Sequence, residues 1–142
     1  MNKVKWAILI FAAISPFTVL GAGLNQIPYI PGSGYTDFLI THYPNILYIQ
    51  QSLERIGQVP LWSNLIYSGY PFYADPLSSI YYPPMWLTWI LPLPLGINLV
   101  VLLHVVLGGI GVFIMLRSMG LSFYASIVGL LMFAWMPKIY GH

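Results

Sequence analysis

The stretch "YTDFLITHYP" (35–44) sets a carboxylate, Asp37, and an imidazole, His42, in a chain with only 6% charged residues. A positioned carboxylate can accept the proton of an attacking hydroxyl, a role that supplies about 10²–10⁴-fold in rate. On its own residues Asp37 reads instead as the cap of a short helical turn over "FLITHY". His42 follows five residues on, about 140° around an ideal helix, so the two share a face only where that turn is irregular. Farther along, Asp75 precedes Pro76 in "DPLSSIYY", the pattern of an N-cap followed by proline in the first turn. Arg55 and Lys138 are cations suited to anchoring helix ends at lipid headgroups, and Trp62, Tyr67, Tyr70, Phe72 and Tyr73 suit an aromatic belt at a membrane surface.

Several chemistries are excluded. The chain has no cysteine, which rules out disulfides, zinc ribbons and thiol nucleophiles. No H-E-x-x-H, Walker loop or G-x-S-x-G elbow occurs, and "GAGLNQ" and "GSGYTD" each lack the third glycine of a dinucleotide fingerprint. A net charge of +2, with its basic residues scattered along the chain, is too small to suggest a nucleic-acid partner, and none is expected.

The elements that must position these residues belong to a membrane. The 142 residues are 58% hydrophobic with mean hydropathy +0.78, whereas a soluble domain carries roughly 25% charged residues. The expected class is an all-α integral membrane protein. Lys3 and Lys5 precede an apolar run over 6–24, interrupted by Ser15 and Pro16. It reads as an uncleaved first transmembrane helix (1–24), with a signal peptide ending near Gly21, Ala22 and Gly23 as the rival.

Residues 25–94 form the expected outward loop. Eight prolines fall within 25–84, and lipid cannot satisfy the carbonyls they leave unpaired. Within the loop, "PNILYIQQSLERIG" predicts a helix with Pro44 in its first turn and Gly57 past its end. Its stripe of Ile46, Ile49, Leu53 and Ile56 would lie on the membrane surface, with Asn45, Gln50, Gln51 and Glu54 opposite. "MWLTWILPLPL" returns to the membrane with Trp86 and Trp89 at headgroup level and a break at Pro92 and Pro94.

The remainder, 95–142, holds the second and third membrane segments, 95–116 and 121–136. The first carries His104, expected to be structural, and the small residues Gly108, Gly109 and Gly111, which permit close helix contact. Lys3, Lys5 and Arg117 on one side, against Arg55 and Lys138 on the other, give an N-terminus-inside topology in the cytoplasmic membrane.

The order Asp37, "HYP", "RIGQVPLW", "SGYPFYADPLSSIYYPP" and then "LLHVVLGGIGVFIMLRSMGLS" resembles the start of the YfhO-type bacterial membrane proteins. These belong to the GT-C class of polyprenyl-phosphate-sugar-dependent glycosyltransferases. The resemblance, over about 35–141, implies the N-terminal part of a GT-C-like fold: three membrane segments and a long outward loop carrying interfacial helices. It implies transfer of a sugar from a polyprenyl-phosphate carrier to an acceptor hydroxyl outside the membrane, with Asp37 as the essential acidic residue. In that setting His42, Arg55 and Lys138 would meet phosphate or acceptor. Trp62 and Tyr70 would stack on sugar rings, and Asp75 would face sugar hydroxyls or a divalent metal. GT-C enzymes have more transmembrane helices, so the expected partners include the rest of a longer chain, and this segment alone is expected to be inactive. The rival classes are a non-catalytic membrane subunit or scaffold that binds a partner or lipid through its aromatic loop, and a transporter fragment if His104 lines a polar path.

Overall fold

A computed structural model describes residues 3–16 and 38–136; Asp37, Lys138 and Gly21–Gly23 lie outside them. Of the described residues 73% are helical, and none forms a strand beyond one bridged pair, Ser63 with Tyr70. The α-helices are α1 (Lys3–Ile14), α2 (Tyr43–Ile56), the single turn α3 (Leu87–Ile90), α4 (Leu93–Ser118) and α5 (Phe123–Ala134).

Among the described residues one helix, α4, is long and apolar enough to cross a membrane. Its 26 residues rise about 39 Å, against about 30 Å of hydrocarbon. The sequence predicts three such segments, but α1 and α5 have 12 residues each, about 18 Å. The run expected to continue from residue 6 to 24 leaves the helix after Ile14, in a turn at Ser15 and Pro16. Pro16 has no N–H to offer and would collide with the carbonyl four residues back.

The chain divides into two compact units, Met1–Leu24 with Val101–Gly141, and Asn25–Val100. The first is helical. Its core gathers Leu9, Ala12 and Ala13 of α1, Val105 and Phe113 of α4, and Phe123, Ile127, Leu130 and Ala134 of α5. Lys5 Nζ lies 5.5 Å over the Phe123 ring, and Trp135 Nε1–H donates to Ser15 Oγ at 2.9 Å, so α1 and α5 run parallel. The link from α4 to α5 is a Schellman turn. Gly120 takes φ 85°, its N–H bonds the Arg117 carbonyl, and Leu121 N–H bonds that of Leu116. Ser122 then caps α5, its Oγ accepting from Ala125 N–H at 3.2 Å. Gly108 and Gly109 do permit close contact: a Cβ on Gly108 would stand 2.5 Å from the Phe133 ring, and one on Gly109 3.3 Å from Leu130. Gly111 faces open space, while Gly129, which the sequence does not single out, lies against Leu116.

The second unit is built around α2. Pro44 occupies its first turn, and Gly57 ends it at φ 66° with its N–H on the Leu53 carbonyl. Ile49 joins Phe72 and Ile80 in a core that Tyr48, Leu53, Val59, Tyr70 and Trp89 border. Ile46 is buried as well, whereas Ile56, on the last turn, is 69% exposed. The stripe expected to rest on lipid is therefore covered largely by protein. The predicted polar face is also put to use, because Asn45 Nδ2 donates to the Leu77 carbonyl and Gln50 Nε2 to that of Leu91, both at 3.1 Å.

Those bonds belong to a wider pattern. Tyr48 Oη donates to the Trp62 carbonyl, Ser52 Oγ to Gln58, Ser78 Oγ to Asp75, Trp86 Nε1 to Ile80 and Thr88 Oγ1 to Met85. Prolines at 44, 60, 71, 76, 83, 84, 92 and 94 remove backbone donors from this unit. Side-chain donors satisfy the carbonyls that irregular backbone leaves open.

Candidate functional site

Asp75 closes one short turn and caps the next. The 3₁₀ turn Phe72–Ala74 ends on it, and the 3₁₀ turn Pro76–Ser78 begins after it. Its Oδ1 accepts from Leu77 N–H at 2.8 Å, so the N-cap read from sequence is present, although it caps one turn and not a longer helix. Its Oδ2 accepts from the Tyr70 hydroxyl at 3.3 Å. Burial pushes the Tyr70 phenol above the usual tyrosine value, and the Asp75 carboxylate adds to this through its charge and by accepting the hydrogen bond. Tyr70 therefore stays a neutral donor to Asp75 throughout the physiological range.

An open cavity of about 250 Å³ lies against this turn, lined by Asp75, Pro76, Ser78, Ser79, Ile80, Tyr81 and Tyr82. Its volume suits one ring-sized ligand, just under the usual range for small-molecule sites. Ser79 takes φ 58°, a left-handed conformation that costs a residue with a Cβ of order 1–3 kcal/mol and clusters at functional sites. A carboxylate residue, two serines and two tyrosines are among the cavity's lining residues.

The other sequence-predicted residues separate into four groups. His42 ends a five-residue π-helical turn, Phe38–His42, that runs directly into α2 and packs against Pro76–Ser78. Asp37 precedes this turn in sequence and lies outside the described residues. Trp62 and Tyr70 flank one hairpin: Ser63 and Tyr70 exchange two backbone hydrogen bonds of 2.9 Å, and Trp62 lies over Gly69. Tyr70 is thereby turned to Asp75 and to an edge-on contact with Phe72, ring centroids 6.1 Å apart. Arg55 is exposed on the last turn of α2, about 20 Å along the helix from His42, and does not join them. Lys138 and Asp37 lie outside the described residues.

Sequence reasoning missed Ser79, Tyr81 and Tyr82. Their only signal was the adjacency of a capped Asp-Pro turn to "SSIYYPP", and nothing in that string announces a left-handed serine. His104 is exposed on α4 between the exposed Leu103 and Leu107. No group of three His, Asp or Glu side chains able to hold a metal ion occurs among the described residues.

No protein-family model, curated protein or solved structure matches the chain.

Proposed function

We propose that this chain is the N-terminal part of a multi-pass membrane glycosyltransferase that moves a sugar from a polyprenyl-phosphate carrier to an acceptor hydroxyl outside the cytoplasmic membrane. The acceptor oxygen attacks the anomeric carbon and forms the new glycosidic bond. The bond from that carbon to the phosphate oxygen breaks, and its electron pair leaves with polyprenyl phosphate. The acceptor proton passes to the Asp37 carboxylate. Asp75, Ser79, Tyr81 and Tyr82 hold a sugar ring, and His42 lies on the neighbouring turn. The observation that carries this reading is the Asp75 cavity, packed beside the turn that directly follows Asp37.

The helical unit supports an N-terminus-inside orientation. Lys5 lies at the Phe123 end of α5, and Arg117 lies six residues before Phe123, so three of the five cations gather near one end of parallel α1 and α5.

Sugar transfer measured in membranes carrying the complete protein tests the assignment. Asp37→Asn abolishes transfer with expression and insertion intact. Asp75→Asn keeps an N-cap acceptor and raises KM for the sugar-bearing substrate with less effect on kcat. Full transfer by Asp37→Asn would overturn the mechanism.

A second reading, a non-catalytic membrane scaffold, is favoured by the engagement of both Asp75 oxygens with Leu77 and Tyr70. In that case the complete protein would show no sugar transfer for Asp37→Asn or Asp75→Asn to change.

A further inference from the structure

The hairpin over 61–70 turns outward more hydrocarbon than its own packing calls for. Leu61, Trp62, Leu65, Ile66 and Tyr67 are all exposed, Leu65 at 68% and Tyr67 at 89%. This tip is firmly built. The Ser63–Tyr70 pair closes it, Tyr73 N–H reaches the Leu61 carbonyl, Gly69 N–H that of Ile66 at 2.9 Å, and Leu65 N–H bonds Ser63 Oγ at 3.3 Å. Tyr67 and Ser68 hold φ of 55° and 59°, and Gly69 continues at 108°. Side-chain-bearing residues adopt that region only where surrounding structure enforces it. A fixed backbone thus presents Leu65, Ile66 and Tyr67 in succession.

The charge pattern and the tether identify what covers them. Between Arg55 and Arg117 the sole Asp, Glu, Lys or Arg is Asp75, so the tip has no charged rim to match a charged partner surface. The same unit contains the opening turns of α4 up to Val100. They are fastened there by Gln50 on the Leu91 carbonyl and by Gly96, where a Cβ would stand 2.8 Å from the Thr88 backbone. Where α4 enters lipid, this unit is held beside the headgroups. Leucine and isoleucine flanked by tryptophan and tyrosine suit the boundary between headgroups and acyl chains, where an apolar body and a polar edge are solvated together.

We propose that the tip 61–67 dips into the lipid surface of the bilayer that α4 crosses and is a second, non-spanning anchor. This rests on α4 spanning the membrane and is independent of sugar transfer.

The chain lacks cysteine, so single-cysteine variants of the full chain can carry an environment-sensitive fluorophore in phosphatidylcholine vesicles. Leu65→Cys reports the tip, Gln51→Cys the exposed polar side of α2, and Leu107→Cys the middle of α4. Lipids bearing a spin label near the headgroup are expected to quench the Leu65 label several-fold more than the Gln51 label, with iodide in water showing the reverse order. A Leu65 label as open to iodide as the Gln51 label, while lipid spin-labelled deep in its acyl chains still quenches the Leu107 label, would overturn the anchor alone. Shielding of the Leu65 label from both quenchers would also overturn it, in favour of a protein neighbour. Loss of lipid quenching at Leu107 would remove the spanning helix, and the anchor with it.

Discussion

The two units solve the same problem with different materials. In the helical unit the helices satisfy most of their own backbone groups, side-chain bonds to carbonyls are short-range ones such as those of Ser15, Ser118 and Ser126, and helices approach through Gly108, Gly109 and Gly129. In the loop unit prolines and tight turns leave carbonyls open, and amide, hydroxyl and indole donors are committed to closing them. One unit is held by what its helix faces omit, the other by polar groups that each serve a particular carbonyl. A hydrophobic chain can thus support irregular backbone when its few polar side chains serve its own carbonyls.

The largest break in this contrast should come from Phe72→Ala. Phe72 is 1% exposed and lies edge-on to Tyr48 at 5.2 Å, so its loss costs about 3–5 kcal/mol. Hydrogen-exchange protection should collapse in α2 and persist in α5; equal loss in both would show that the units do not fold separately. Gly108→Leu tests the other side. It forces side-chain atoms into Phe133 and costs about 1–3 kcal/mol, lowering protection in α5 while sparing α2. Gly111→Leu, which meets open space, should be close to neutral.

The smallest effect concerns Tyr70. Its folded pKa is raised, so the neutral phenol's contribution is complete below the unfolded value of about 10 and is lost as pH climbs through the folded value. Near-UV circular dichroism melts between about pH 8 and pH 11 should show a falling Tm that Tyr70→Phe flattens. An unchanged slope would remove Tyr70 from the loop unit's alkaline sensitivity.

Local signals were legible in the sequence, and non-local ones were not. Pro44 and Gly57 fixed α2 because proline and glycine act through their own backbone angles. Asp75 was readable as a cap for the same reason. The amphipathic stripe of α2 was found, but its partner was not, since periodicity reports an apolar face without naming what covers it. Phe72 and Ile80, the residues Ile49 meets, lie more than twenty positions away in sequence. Asn45 and Gln50 read as a solvated face because a short-range reading cannot see the carbonyls of Leu77 and Leu91. Apolar length alone does not give helix length: α1 leaves the helix at Ser15 and Pro16 within the first run, and α5, capped by Ser122, holds 12 residues of the third. Within the candidate site Asp75 and Tyr70 were both singled out, yet their pairing depends on the bridge from Ser63 to Tyr70, which no spacing rule encodes.

The bond from Trp135 to Ser15 joins positions 120 residues apart. At 5–20 residues per second, a ribosome takes roughly 6–24 s to travel between them. For that interval Ala12 and Ala13 on the first helix have no fifth helix to meet, and their contact with it forms only once α5 has left the exit tunnel.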